Sequence, residues 1–374
     1  MALMLKVAID ARALLSQKTG IGTYTRAVAQ GLAEIPGIEV GLFSPRPLSE
    51  AALSGPWSVH ADSHPSGMIW TQTTLARRCA AWNADVLLAA LTIGPVRGDL
   101  PLVSVVHDLT PWTNPEWHAA RTIVGFVPLW ERTAERAARL LCVSKSTATE
   151  LERRYPETLP RVRVVLNGVD SDLTPAPEGP AAETTRRRFA QGRRYVLYLG
   201  TLEPRKNVET LVAACERLWS GRRSRPDLVV AGGVGWKTSS LHRRIARSPF
   251  RDKIHLAGYA PREVAGELYR AAEVFVFPSL AEGFGLPLLE AMACGVPVVA
   301  STAPALVEVG GDAALYAEAT DAGGLAHQIE RALEDRPLAD RLRRAGLARA
   351  RTFSWTRAAA QTAAVLQEAV WEAR

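Results

Sequence analysis

Cysteine is scarce in this chain, four in 374 residues, and Cys79, Cys142, Cys215 and Cys294 lie far apart with no CxxC pair or Cys/His cluster. That spacing favours reduced thiols in a cytosolic setting over a zinc or disulfide framework, with Cys142 and Cys294 in apolar runs that read as core. A sustained apolar run is also missing. The start, MALMLKVAIDARALL, is interrupted by Lys6, Asp10 and Arg12, so neither a signal peptide nor a membrane span is expected. The dinucleotide fingerprint GxGxxG, with an acidic residue about 20 positions on, does not occur, which argues against a nicotinamide dehydrogenase. No nucleic-acid motif accompanies the basic residues.

What is present is an ordinary globular composition, 47% hydrophobic and 22% charged, long enough for two cores. The net charge of +7 comes with arginine runs at Arg186-Arg187-Arg188, Arg193-Arg194, Arg222-Arg223 and Arg243-Arg244. Such a balance suits an anionic partner, and equally suits arginine-rich solvated faces.

Short apolar runs alternate with helical patterns along both halves, which predicts a parallel α/β sheet in each. The first half has strand-like runs at Leu5 to Asp10, Val40 to Ser44, Val86 to Leu91, Leu102 to Asp108 and Val162 to Leu166, and an amphipathic stretch from Ala119 to Arg139 leads to Leu140-Leu141-Cys142-Val143-Ser144-Lys145-Ser146, where Ser144 and Ser146 suit the N-cap of the next helix. A loop, Lys18-Thr19-Gly20-Ile21-Gly22-Thr23-Tyr24-Thr25, precedes the first helix, and glycines between strand and helix permit close approach of a phosphate. His107-Asp108 falls at the end of its strand, where open α/β sheets place ligands. After it, Pro111-Trp112-Thr113-Asn114-Pro115-Glu116-Trp117-His118 reads either as an apolar wall beside a sugar or as packing anchors. Thr174 to Pro180, rich in Pro and Gly, breaks all periodicity and reads as linker. The predicted organisation is 1–173 as first domain, 174–190 as linker, 191–354 as second domain, and 355–374 as a C-terminal helix with Ala363, Val365, Leu366, Val370 and Trp371 available to bury.

The sharpest stretch is Phe277 to Ala300, FPSLAEGFGLPLLEAMACGVPVVA. It reads as a strand end, a glycine loop, a helix start with Pro at a first position, and a further buried strand. Glycine backbone and helix dipole suit an anion, and carboxylates beside a phosphate are repelled, so Glu282 and Glu290 are better used on hydroxyls, as of a sugar. In another loop, GTLEPRKN, Arg205 and Lys206 stand between a strand and a helix start, where a guanidinium and an ammonium neutralise a diphosphate without metal. Asp170-Ser171-Asp172 has the letters DxD, but its turn position predicts solvated carboxylates.

Together, TGIGTYT, VHD, VSKSTATEL, VLNGVD, GTLEPRKN, AGGVGWK and EGFGLPLLEAMACGVPVV resemble the retaining GT-B glycosyltransferases of family 4 over nearly the whole chain. The resemblance implies an α/β GT-B fold: two Rossmann-like domains facing across a cleft, the acceptor in the first, the donor in the second, and a C-terminal helix crossing back. It implies transfer of a sugar from a nucleotide diphosphate sugar with retention. Arg205 and Lys206 would bind the diphosphate, Glu290 the ribose hydroxyls and Glu282 the sugar hydroxyls. Gly283, Phe284, Gly285 and Leu286 would present backbone N–H groups, and the backbone of Gly258 and Tyr259 would read the base. His107 would reach the donor sugar, with Gly20 and Gly22 near phosphate or acceptor.

Glu282 serves as hydroxyl anchor or nucleophile, and a front-face attack needs only the former. The nucleotide sugar is a co-substrate; no cofactor or metal is required. GDP-mannose, or another GDP-hexose, is the preferred donor, with UDP- and TDP-sugars as alternatives. The acceptor is a glycan, a glycolipid or a small molecule. For a lipid-linked acceptor, the basic residues Arg121, Arg132, Arg136 and Arg139 would rest on an anionic leaflet at the inner face of the membrane. Rival readings are an epimerase or phosphorylase of the same architecture and a non-catalytic sugar-nucleotide binder.

Overall fold

In the computed structural model the apolar runs become parallel strands; the central ones are buried on both faces, as helix-flanked parallel sheets require, while the edge strands Val162–Val164 and Ile254–Gly258 are only partly buried. The structure describes residues 4–15, 20–49, 55–177, 179–221 and 225–373, without the side chains of Arg121 and Thr122. Lys18 and Thr19 of the expected glycine loop, Glu178 of the expected linker, and Arg222-Arg223 lie outside the described residues.

The chain divides into two units, Met1–Gly168 with Phe353–Arg374, and Val169–Thr352. The first holds seven strands: β1 (Leu5–Asp10), β2 (Ile38–Ser44), β3 (Ser58–Ala61), β4 (Val86–Ala89), β5 (Leu102–Val106), β6 (Arg139–Cys142) and β7 (Val162–Val164). Their order is 3-2-1-4-5-6-7. The second holds six: β8 (Tyr195–Leu199), β9 (Asp227–Ala231), β10 (Ile254–Gly258), β11 (Val274–Phe277), β12 (Val298–Ser301) and β13 (Ala314–Ala317), ordered 10-9-8-11-12-13. Both are Rossmann-like. The order reverses beside β1 and β4 in one unit and beside β8 and β11 in the other, so each has one place where loops from two diverging halves meet at strand C-termini.

The C-terminal helix, Trp355–Glu372, belongs to the first unit, where it packs on the helix Gly20–Ala33. A Cβ on Gly31 would stand 2.5 Å from that of Ala359, so bare glycine sets the closeness of the two helices. Ala363, Val365 and Leu366 are buried there, whereas Trp371, expected to bury, is 83% exposed.

Several other expectations are corrected. Gly20 and Gly22 lie in the first turn of a helix rather than in a loop; Thr25 Oγ1 donates to Ile21 O at 2.8 Å, and Gly22 and Tyr24 are buried. Pro287 is the second residue of its helix, Leu286–Ala293, not the first. The stretch 174–190 is not all linker, since Pro180–Ala190 is helical and part of the second unit. Trp112 is buried against Trp130 and Phe126, ring centroids 5.5 and 5.4 Å apart, so it anchors the core and offers no wall.

Arg136 donates to the carbonyls of Pro95, Gly98 and Leu100, and Arg139, buried, pairs with Glu368 and Glu372 of the C-terminal helix. These two guanidinium groups tie the first unit together, while Arg132 is exposed. No helix among the described residues is long and apolar enough to cross a membrane.

Candidate functional site

In the second unit the strand order reverses between β8 and β11, and the loops that leave those two strands are stitched to each other. Asn207 takes a left-handed backbone, φ +55°, and its Nδ2 donates to Pro278 O at 3.0 Å and Ala319 O at 2.6 Å. Leu280 N donates to Arg205 O at 2.8 Å. The stitching brings together side chains 76 and 77 residues apart: Glu282 Oε1 accepts from Lys206 Nζ at 2.6 Å, and Oε2 accepts from Arg205 Nη1 at 3.1 Å. Ala281 O shares that nitrogen at 3.0 Å. Lys206 Nζ also stands 5.2 Å from the centroid of the Phe277 ring.

All three charged groups are largely buried, with side-chain exposures of 14% for Arg205, 11% for Lys206 and 7% for Glu282. Burial by itself would raise the Glu282 carboxyl. Lys206 and Arg205 outweigh it and hold the group below its ordinary value, so Glu282 is ionised at neutral pH.

Glu290 is in the opposite condition. It lies on the helix Leu286–Ala293, and Oε2 accepts from Tyr269 OH at 2.9 Å. Burial pushes its carboxyl up to about 7; the Tyr269 bond and Arg262 oppose the shift, while Asp170 and Asp172 add to it. One block of sequence therefore carries a carboxylate that stays ionised and another that titrates near neutrality.

Gly285 precedes this helix at φ +102°, and a Cβ there would stand 2.6 Å from Leu306 Cδ2, so both conformation and space demand glycine. The Phe284 side chain is buried, so it offers a ligand no side-chain contact. At the neighbouring strand ends, Gly258 O accepts from Gly232 N at 2.7 Å, and Tyr259 is 38% exposed. Gly232 has φ +147°, and a Cβ on it would stand 1.8 Å from Gly200 O, so two glycine backbones pass here with no space for a side chain. Asp170 and Asp172 are not simply solvated, because both pair with Arg262.

In the first unit, His107 follows β5 and bonds Ala90 O through Nε2 at 2.8 Å. A carbonyl only accepts, so Nε2 carries the proton. Burial lowers the pKa of the ring, the neutral form results, and Nδ1 is its acceptor. The edge of Tyr24 meets this ring at 5.1 Å. Arg12 joins the loops after β1 and β4: it pairs with Asp10 at 2.6 Å, and its Nη2 donates to Ile93 O at 2.9 Å.

The structure thus joins Arg205, Lys206 and Glu282 directly, gives Glu290 a partner of its own in the second unit, and places His107 and the turn Gly20 to Gly22 in the first. Three participants are not evident from sequence. Tyr269 reaches Glu290 from another helix, and Asn207 performs the stitching. Glu203, buried, accepts from Arg205 through Oε1, at 3.1 Å from Nε and 2.8 Å from Nη2. Only its place two residues before Arg205 hints at the pairing.

Comparison with known proteins matches residues 182–349 to the family model "Glycosyl transferases group 1" and residues 18–173 to "Glycosyltransferase Family 4". The chain is 34% identical to the O-antigen chain mannosyltransferase B of Escherichia coli over 260 residues, 70% of this chain and 68% of that one. It is 30% identical to the MMP alpha-(1->4)-mannosyltransferase of Mycolicibacterium hassiacum over 96% of this chain and 98% of that one. Among solved structures, Anabaena HepE in complex with UDP and glucose superposes with a TM-score of 0.75 at 20% identity, over 97% of this chain and 99% of that one. WaaG, a glycosyltransferase involved in lipopolysaccharide biosynthesis, gives 0.74 at 17% identity, over 97% and 99%.

Proposed function

This chain belongs to the group 1 glycosyltransferases of family 4, two-domain GT-B enzymes, and on that premise we propose that it moves a hexose from a nucleotide diphosphate sugar to a hydroxyl of a glycan or glycolipid, with retention and without a metal. The observation that carries the reading is the Arg205, Lys206 and Glu282 cluster at the place where the second sheet reverses its order. Two buried cations there suit a diphosphate, and charge that grows on the departing phosphate is what they stabilise most. In a front-face reaction the phosphate oxygen takes the proton of the acceptor hydroxyl, which arrives on the same side of the sugar. Glu282 accepts from sugar hydroxyls, and Glu290 accepts from the ribose. The mannosyltransferase relatives support a mannosyl donor, and GDP-mannose is our preferred reading of it. The UDP in HepE makes UDP-sugars the second reading. The acceptor, and peripheral contact with a membrane at the cytoplasmic face, belong to the same proposal.

A melting screen of nucleotide sugars on the full chain tests the donor. GDP-mannose at about 100 times its Kd adds about 2.7 kcal/mol to the native state by mass action, a rise of several degrees, and UDP-glucose adds less. If no nucleotide diphosphate or nucleotide sugar shifts melting at saturating concentration, the transferase reading is lost.

The state of Glu290 gives the pH dependence. A carboxylate accepts from two ribose hydroxyls and a carboxyl from fewer, so a proton on Glu290 competes with nucleotide. Below about 7 the contribution of this group to affinity falls by up to about tenfold per pH unit, and above about 7 it is constant. Calorimetric titration of GDP at pH 6 and 8 should show this slope for the natural protein and a weaker one for Glu290→Gln, which cannot ionise. Equal slopes in the two proteins would remove Glu290 from the ribose. In the ligand-free protein the same raised pKa favours folding at low pH, a contribution lost as pH climbs from about 4.5 to about 7.

A further inference from the structure

The two buried cations already have two anionic partners. Glu203 and Glu282 balance Arg205 and Lys206, so the cluster has no net charge. A diphosphate arriving at such a cluster meets two carboxylates as well as two cations, and at least one carboxylate must let go for the cations to serve it. The two glutamates are held differently. Glu203 opens the turn Pro204–Lys206 with extended backbone, φ −151° and ψ 159°, and its own carbonyl accepts from Lys206 N at 3.0 Å. Its Oε1 takes one whole edge of the guanidinium, Nε and Nη2, from two residues away, and its side chain is 4% exposed. Glu282 comes from a separate loop and reaches Arg205 only at Nη1, a nitrogen it shares with Ala281 O, while its other oxygen takes Lys206.

A buried carboxylate that loses its partner is strongly destabilised unless another donor replaces it. With donor bound, Glu282 has such a replacement in the sugar hydroxyls. Nothing comparable is offered to Glu203, whose side chain is tied to Arg205 inside one turn.

We infer that Glu203 is a positioning residue, the permanent partner that keeps the Arg205 guanidinium aimed while Glu282 gives up the cations to the diphosphate and takes the sugar hydroxyls. The inference rests on the donor site proposed above. In this division Glu282 stands, before donor arrives, in the place of the phosphate, and donor binding itself releases it to the sugar. The loss of Glu203 misaims a cation whose work is greatest in the transition state, so kcat suffers more than the KM for donor.

The test uses the full chain with Glu203→Ala, Glu203→Gln, Arg205→Ala and the Glu203→Ala/Arg205→Ala double variant. Each is assayed for release of GDP from GDP-mannose, below its own melting temperature. Glu203→Ala should lower kcat by about thirtyfold or more, with donor KM changed by less than about threefold. Glu203→Gln, whose amide oxygen still accepts from Arg205, should recover at least about a third of the natural kcat. In the Arg205→Ala background, adding Glu203→Ala should change the remaining turnover by less than about twofold, because the two act as one unit. A full-sized Glu203→Ala effect in that background overturns the inference, as does a natural kcat in Glu203→Ala; in both cases an inactive Arg205→Ala leaves the donor site standing. If Arg205→Ala turns over like the natural protein, the donor-site reading itself falls and takes the inference with it.

Discussion

Replacing Arg205 by alanine lowers sugar transfer by about two to three orders of magnitude in kcat, the size of effect expected when one fixed charge or donor is removed from developing negative charge in a closed site. The reason lies in where the group sits and how it is held. Its guanidinium is 14% exposed, in a low-dielectric setting where an aimed charge counts for far more than in water. Glu203 holds one edge, while Ala281 O and Glu282 hold Nη1. The variant also leaves Glu203 without its Arg205 partner, so melting falls, and activity must be compared at a temperature where both proteins are folded. Arg205→Lys separates charge from geometry. An ammonium keeps the charge but loses the planar fork, and it should hold the fold better while still losing about tenfold or more in kcat. Turnover of Arg205→Ala within about threefold of the natural enzyme, at unchanged melting, would show that the departing phosphate does not depend on this residue.

The sequence was legible wherever a signal is local. Strands β8 and β11 coincide with their apolar runs, Tyr195–Leu199 and Val274–Phe277, because a strand buried on both faces leaves no polar interruption, and β1 coincides with Leu5–Asp10 although Lys6 falls at its half-buried start. The edge strands β3 and β13 carry no such mark: Ser58–Ala61 is half-buried or exposed throughout, and Ala314–Ala317 is buried only at its two ends. Gly20-Ile21-Gly22 has the letters of a loop, and nothing local reveals that packing draws those glycines into a helix. Arg136 and Arg139 look like any basic helix face until the carbonyls of residues 95–100 and the glutamates of the last helix are brought to them. The same limit governs the site. Arg205, Lys206, Glu282 and Glu290 were nameable from their loops, but which of them touch depends on strand order. The order of the second sheet joins the loops of β8 and β11, and it gives Glu290 to Tyr269 and leaves Glu282 to the cations.

That placement decides what Glu282 can do. Glu282→Gln should retain measurable transfer, reduced by about tenfold to a hundredfold, and the natural enzyme incubated with GDP-mannose should show no sugar attached to Glu282 by intact mass. Retention through a covalent intermediate needs a nucleophile on the face of the anomeric carbon opposite the departing phosphate. Glu282 lies 2.6 Å from Lys206 and 3.1 Å from Arg205, the cations assigned to that phosphate, so it stands on the leaving-group side. A carboxylate there is badly placed for back-side attack and well placed to accept from the sugar hydroxyls next to the bond that breaks. Glutamine keeps an oxygen that accepts from a sugar hydroxyl, which is why the loss is partial. It also leaves the cluster with one net positive charge, so GDP should bind the variant more tightly than the natural protein by calorimetry, and slower product release would account for part of the fall in kcat. A variant with no detectable transfer, together with a hexose trapped on Glu282 of the natural enzyme, would reverse the assignment and make this carboxylate the nucleophile.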